Sequence, residues 1–232
     1  MTARPQHGLF ITGVDTGVGK TYVAALIARA LVAQGARVGV YKPIASGCEE
    51  RNGERISDDA QMLWEAAGRP GSLQQVCPQR FRAPLAPHLA ARAEGQEVDA
   101  TLLRSGLAAW KGQCDVVLVE GAGGLMSPVS EEDYVADLAF EFGYPVVVIA
   151  PNVLGVINQT LQTLITAAVF RDGLTVAGVV LNHVRPNQDD PSQTSNYDEL
   201  KKHCVPPVLA QVAYNGGFSE NVDWLAIARR RE

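Results

Sequence analysis

One stretch near the start of the chain, Gly13-Val14-Asp15-Thr16-Gly17-Val18-Gly19-Lys20-Thr21, restricts the possible folds more than any other. A short apolar run, Gly8-Leu9-Phe10-Ile11-Thr12, precedes it, and Tyr22 to Gln34 follows with apolar residues at helical spacing. The glycines therefore lie between a strand and a helix, the setting that a phosphate-binding loop requires. Glycines let backbone N–H groups converge on an anion, and the helix start adds its own unpaired N–H groups and the positive end of its dipole. Lys20 can reach the outer phosphates, and the Thr21 hydroxyl is placed to ligate Mg²⁺. The loop is one residue longer than the usual pattern: five residues, not four, separate Gly13 from Gly19-Lys20-Thr21. A glycine-rich turn without a ligand is the competing explanation. The joint presence of strand, glycines, Lys-Thr and helix favours phosphate.

The 232 residues are 47% hydrophobic, enough for one sizeable core, and a single α/β domain over 1–232 is expected. No basic run stands out except Arg229-Arg230-Arg231, which reads as a solvated helix end more than as a nucleic-acid site, and no nucleic-acid partner is expected; the net charge of −5 says little about partners. Cys48, Cys77, Cys114 and Cys204 are scattered, with neither zinc-ligand spacing nor a disulfide framework. Met1 to His7 has no apolar signal core, and no segment approaches the length of a membrane span. A reduced, cytoplasmic enzyme without a membrane partner is expected.

Gly35 ends the first helix, and Ala36–Tyr41 reads as a second strand opening at Pro43 into Lys42-Pro43-Ile44-Ala45-Ser46-Gly47. Ligands of open α/β sheets sit beyond the carboxyl ends of strands, which places Lys42 and Ser46 on the working edge. A polar loop from Cys48 to Ile56 leads to a helix that Ser57 or Asp58 can cap, with Asp59 in its first turn. Residues 69–98 are the least regular part, with a short helical run from Leu89 to Glu94; His88 beside it is either a substrate contact or a polar loop residue, and taken alone it reads as the latter. A helix from about Ala100 to Lys111 follows.

Cys114–Val119 is a buried strand ending in Glu120-Gly121-Ala122-Gly123-Gly124. A carboxylate there is costly unless it serves a cation or hydrogen bonds. Next come a helix Tyr134–Phe142, a strand Pro145–Ala150 and a long helix entered through Pro151–Asn158. A strand Leu174–Leu181 ends at Asn182. After the polar insert His183–Ser195 come a helix to about His203, a strand Val208–Val212, a loop Ala213–Gly217 and a closing helix that Asn221 can cap. Strands and helices alternate, so the fold class is α/β: a P-loop NTPase-like, mostly parallel, doubly wound sheet with helices on both faces. Gly13–Thr21, Lys42, Glu120 and Asn182 all fall at strand ends, and that convergence marks them as one site.

These motifs, with Leu154-Gly155-Val156-Ile157-Asn158 and Gly178-Val179-Val180-Leu181-Asn182, run along most of the chain in an order that resembles the dethiobiotin synthetases of biotin biosynthesis. The lengthened phosphate loop is shared with that family. Tyr41-Lys42-Pro43-Ile44-Ala45-Ser46-Gly47 together with Glu120–Gly124 is the most specific part of the likeness. The resemblance implies an ATP- and Mg²⁺-dependent ring closure of 7,8-diaminononanoate with CO₂, giving dethiobiotin, ADP and phosphate through a carbamate and a carbamic–phosphoric anhydride. It implies Lys42 and Lys20 as catalytic residues. Gly17, Val18, Gly19, Lys20, Thr21 and Tyr22 would hold the phosphates, with Gly121, Ala122 and Gly123 beside them. Thr21, Asp59 and Glu120 would hold Mg²⁺. Asp59 is preferred to Asp58 because the family's aspartate directly precedes an apolar helix, as Asp59 precedes Ala60.

By the same likeness Thr16, Lys42 and Ser46 contact the diamine. Val156, Ile157 and Asn158 match a helix start that receives the substrate carboxylate from the partner subunit of a homodimer. Asn182, Ala213, Tyr214, Asn215 and Glu220 match base and ribose contacts. His183 stands where some members have an acid, and Ala213-Tyr214-Asn215 where members often show proline and a large apolar residue. Two rivals fit less well. A cobyrinate-type amide synthetase usually carries a fused glutaminase domain, for which this chain is too short. A partitioning ATPase usually has a second lysine early in its phosphate loop, and here none precedes Lys20 within the loop.

Overall fold

Apolar strands and amphipathic helices alternate along the backbone of the computed structural model, which describes residues 4–186 and 190–229. Arg230, Arg231 and positions 187–189 of the polar insert lie outside them. Six strands form the central sheet: β1 (Gly8–Gly13), β2 (Val38–Tyr41), β3 (Val116–Glu120), β4 (Val146–Pro151), β5 (Val176–Asn182) and β6 (Val208–Val212). Their order is β6-β5-β4-β1-β3-β2, and every pairing is parallel. The longer helices are α1 (Lys20–Ala33), α2 (Asp58–Ala66), α3 (Val135–Phe142), α4 (Val156–Val169) and α5 (Asn196–His203), and the short α6 (Trp224–Arg229) ends the described chain. Every residue of β1, β3 and β4 is buried, as strands covered on both faces must be.

The register decides where the chemistry gathers. Ile11 of β1 lies beside Glu120 of β3, and Gly13 lies beside Ile149 of β4. All strands point the same way, so the ends of β1, β2, β3 and β5 open on one edge. That edge carries the phosphate loop, Lys42, Glu120 and Asn182.

Three local expectations are corrected. The segment from Cys48 to Ile56 is not merely a loop: Glu49–Arg51 pairs antiparallel with Glu54–Ile56. Asn52 and Gly53 make its turn, with φ of 53° and 80°, the left-handed pair that tight hairpins favour. The helix expected over Ala100–Lys111 is α-helical only through Ser105 and becomes a 3₁₀ turn over Gly106–Trp110. The change falls where the Tyr41 hydroxyl donates to the carbonyls of Leu102 and Leu103, both at 3.0 Å. A Cβ on Gly106 would lie 2.4 Å from that hydroxyl. The closing helix is capped by Asp223, whose Oδ1 accepts the Ala226 N–H at 2.9 Å, and not by Asn221. Ser57 caps α2, accepting the Ala60 N–H at 3.3 Å.

No helix among the described residues is long and apolar enough to cross a membrane. Phe10 sits fully buried in the central strand, its ring centroid 6.4 Å from that of Phe142. Phe10→Ala should cost about 3–5 kcal/mol, read as a lower urea midpoint with an unchanged slope.

Candidate active site

The turn after β1 is shaped by glycines at the two positions where φ is positive, Gly17 at 75° and Gly19 at 85°. Gly19 is also the residue before the first turn of α1, so its conformation aims the free N–H groups of the helix start. A Cβ on Gly19 would lie 2.1 Å from Asn182 Nδ2, so any other residue there would have to displace that amide as well as hold a left-handed backbone. Lys20 folds back and donates to the Asp15 carbonyl at 2.9 Å. Burial lowers its pKa. Glu120 opposes that shift, and repulsion from Lys42 adds to it.

Lys42 follows β2 directly and is buried. Its Nζ lies 2.5 Å from Glu120 Oε1 and 2.8 Å from Asp59 Oδ2. Burial alone would lower its pKa, but the two carboxylates outweigh burial and raise it, so the ammonium form is held. Glu120 is buried too, and its Oε1 also accepts the Thr21 hydroxyl at 2.8 Å. Its Oε2 is buried without a partner. Asp59 stands at the mouth with its side chain 52% exposed. Partial burial tends to raise its pKa, but Lys42 overrides this and holds the carboxyl below its ordinary range. Asp58 instead turns outward to Arg51, at 2.8 Å, so of the two adjacent acids it is Asp59 that faces Lys42.

A cleft of about 350 Å³ lies over this group. It joins Thr16, Gly17, Gly19, Lys20 and Thr21 of the loop to Lys42 and Ser46, to Asp59, and to Ala122 and Gly123 after β3. Ala45 lines it as well, a residue that sequence reasoning did not single out although it lies between Lys42 and Ser46. Thr21, Asp59 and Glu120 offer the hard oxygens that suit a divalent cation whose remaining ligands are phosphate and water. The unpartnered Glu120 Oε2 fits that use. Among the described residues no cluster of three or more His, Cys, Asp or Glu could hold a metal on such side chains alone.

The other expected residues surround the cleft or lie apart from it. Val18 is buried under the loop. Tyr22 donates from its hydroxyl to the Gly216 carbonyl at 2.7 Å, tying α1 to the Ala213–Gly217 turn. In that turn Tyr214 is exposed and Asn215 has a φ of 50°. Gly121 packs so closely that a Cβ would meet Val135 Cγ1 at 2.5 Å. Asn182 donates from Nδ2 to the Val18 carbonyl at 3.0 Å. Glu220 has both oxygens engaged within the chain: Oε1 accepts Tyr197 Oη–H and Oε2 accepts Gln211 N–H, each at 3.0 Å. Val156, Ile157 and Asn158 begin α4 and do not line the cleft. His88 lines a separate cavity of about 620 Å³ with Arg92, Ser130, Glu131 and Asp133.

Fold and site together define a P-loop nucleotide-binding protein of the α/β class. The likeness to solved structures agrees on the fold: a ParA family ATPase from Chlorobium tepidum (TM-score 0.54, 15% identity, covering 97% of this chain and 91% of that one). A plasmid partition protein from Borrelia burgdorferi bound to AMPPNP is similar (TM-score 0.53, 13% identity, 97% and 95% coverage). Residues 7–221 match a family described as "AAA domain". An ATP-dependent dethiobiotin synthetase from Rhodopirellula baltica is 44% identical over 219 residues, covering 90% of this chain and 84% of that protein. One from Anaeromyxobacter dehalogenans strain 2CP-C is 45% identical over 205 residues, with 88% and 89% coverage. One from Thermodesulfovibrio yellowstonii is 35% identical over 214 residues, with 89% and 88% coverage. The chain belongs to the ATP-dependent dethiobiotin synthetases, a family of ligases.

Two outcomes test this geometry. Gly19→Ala should weaken nucleotide binding roughly 10-fold or more, since the backbone is left-handed and the space is filled. Fluorescent-nucleotide titration measures the loss, with circular dichroism confirming the fold. The folded-state pKa of Asp59 lies below its unfolded value. The stability it contributes is therefore complete above about pH 4 and lost as the pH falls through the lowered folded value. Asp59→Asn should be less stable than the parent chain at neutral pH, and urea titrations should show that gap closing in acid.

Proposed function

We propose that this chain closes the cyclic urea of dethiobiotin from 7,8-diaminononanoate and CO₂ at the expense of ATP. The observation that carries the reading is the pair of buried lysines, Lys20 and Lys42, lining one cleft with Asp59 above Glu120. In this reading one amine takes up CO₂ and releases a proton, giving a carbamate. A carbamate oxygen attacks the γ-phosphorus and ADP leaves, which makes the carbamic–phosphoric anhydride. The second amine attacks the carbonyl carbon and gives up a proton, the C–O bond to phosphate breaks and phosphate departs, and the ring is closed. Each species before and after transfer is anionic, so the protein contributes position and fixed positive charge more than acid–base chemistry.

Gly17 to Tyr22 hold the phosphates through backbone N–H groups, with Gly121 to Gly123 alongside. Lys20 follows the transferred phosphoryl group. Lys42, held protonated by two carboxylates, stabilises the carbamate oxygens and the phosphate they attack. Thr16 and Ser46 flank the diamine. Thr21, Asp59 and Glu120 hold Mg²⁺, which when bound supplies charge neutralisation to the outer phosphates. Asn182, the Ala213–Asn215 turn and Glu220 border the base and ribose.

The substrate carboxylate is assigned to the start of α4, at Val156, Ile157 and Asn158, in the second copy of a homodimer. Support comes from their position outside the cleft and from the exposed Leu154, Ile165 and Val169 on and beside the same helix, which are 81%, 64% and 71% exposed. The chain is read as one functional unit over 1–232, acting in the cytoplasm.

The test is phosphate release with ATP, Mg²⁺, bicarbonate and the diamine. Release should depend on the diamine, and release without it would refute the assignment. Lys42→Ala should lower kcat about 100- to 1,000-fold while ATP still binds. Normal turnover in that variant would remove Lys42 from the mechanism.

A further inference from the structure

The end of β5 reaches across the end of β4 to the phosphate loop, and the side chain of Asn182 makes a hydrogen bond there. Asn182 is 3% exposed, and its Nδ2 donates to the Val18 carbonyl at 3.0 Å. That bond fixes the orientation of the amide, because a carbonyl only accepts. The same Nδ2 occupies the space that a Cβ on Gly19 would need. Asn182 therefore bears on the two residues that immediately precede Lys20.

Asn182 is itself held from behind by hydrogen bonds. The Asn182 carbonyl accepts the Asn152 N–H at 2.7 Å, and the His183 N–H is bonded to the Val212 carbonyl at 2.9 Å. Asn152 is fully buried. Its Nδ2 contacts His183 Nε2 and donates to the Gln193 carbonyl, both at 3.1 Å, and its Oδ1 accepts Asn196 Nδ2 at 2.8 Å. A continuous run of hydrogen bonds thus joins the insert before α5 to the phosphate loop.

We propose that Asn182 is a positioning residue for the phosphate loop, holding Val18 and Gly19 so that the N–H groups beyond them face the triphosphate, a task separate from any contact with the base. The inference rests on the reading of this loop as the triphosphate site.

A base-free ligand separates the two tasks. Inorganic tripolyphosphate and ATP are titrated calorimetrically into the parent chain, Asn182→Ala and Asn182→Asp. Tripolyphosphate should bind about tenfold more weakly to Asn182→Ala, the loss of one buried hydrogen bond. Hydrogen exchange should quicken at residues 14–20 and stay unchanged in β1 and β3. Asn182→Asp keeps the shape but sets a carboxylate oxygen against the Val18 carbonyl. It should lose at least as much, and it carries the test if the alanine variant does not fold. Unchanged tripolyphosphate affinity with weakened ATP would overturn the proposal and leave Asn182 a base contact alone. Failure of the parent chain to bind tripolyphosphate would instead overturn the phosphate-loop reading and this proposal with it.

Discussion

The buried contact between Lys42 and Glu120 is the constraint around which the working edge is arranged. Neither charge could stay in that position alone, since an unpaired buried ion costs several kcal/mol. Glu120 is shared: Oε1 receives both the Lys42 ammonium and the Thr21 hydroxyl. The carboxylate at the end of β3 therefore fixes the end of β2 and the first turn of α1 together. Its Oε2 is buried without a partner inside the protein, so this carboxylate keeps one acceptor that the chain's own groups do not use.

The parallel sheet makes this possible. Consecutive strands all deliver their carboxyl ends to one side, so groups far apart in the chain meet without long loops. The loop after β1 is wedged from the other side by Asn182 at the end of β5. It is thus gripped by a charged cluster on the β3 flank and by an uncharged amide on the β5 flank. A loop that must present N–H groups to a highly charged ligand gains from being held before the ligand arrives, because less ordering remains to be done on binding.

Much of the site was legible in the sequence, because its residues carry their own local signals. Gly17, Gly19, Lys20 and Thr21 sit in a turn whose glycines and following helix can be recognised without neighbours. Glu120 stands out as an acid closing an apolar strand. Other features were legible but passed over: Asn52-Gly53 is a strong hairpin signal between the paired segments Glu49–Arg51 and Glu54–Ile56. The break at Gly106 had no comparable signal, because its cause is the hydroxyl of Tyr41, over sixty positions away in the chain.

From its order of residues alone the chain determined the alternation of strand and helix, the phosphate loop and the strand ends that bear chemistry, since periodicity and turn residues act over a few positions. Only the assembled sheet decided which acid faces the cleft, sending Asp59 to Lys42 and Asp58 to Arg51. Spacing along the helix favours Asp59, four residues before the buried Leu63 where Asp58 is four before the exposed Met62, but it names no partner for either acid. The direction each points is set by how α2 docks beside β2, and that docking exists only once the core has formed.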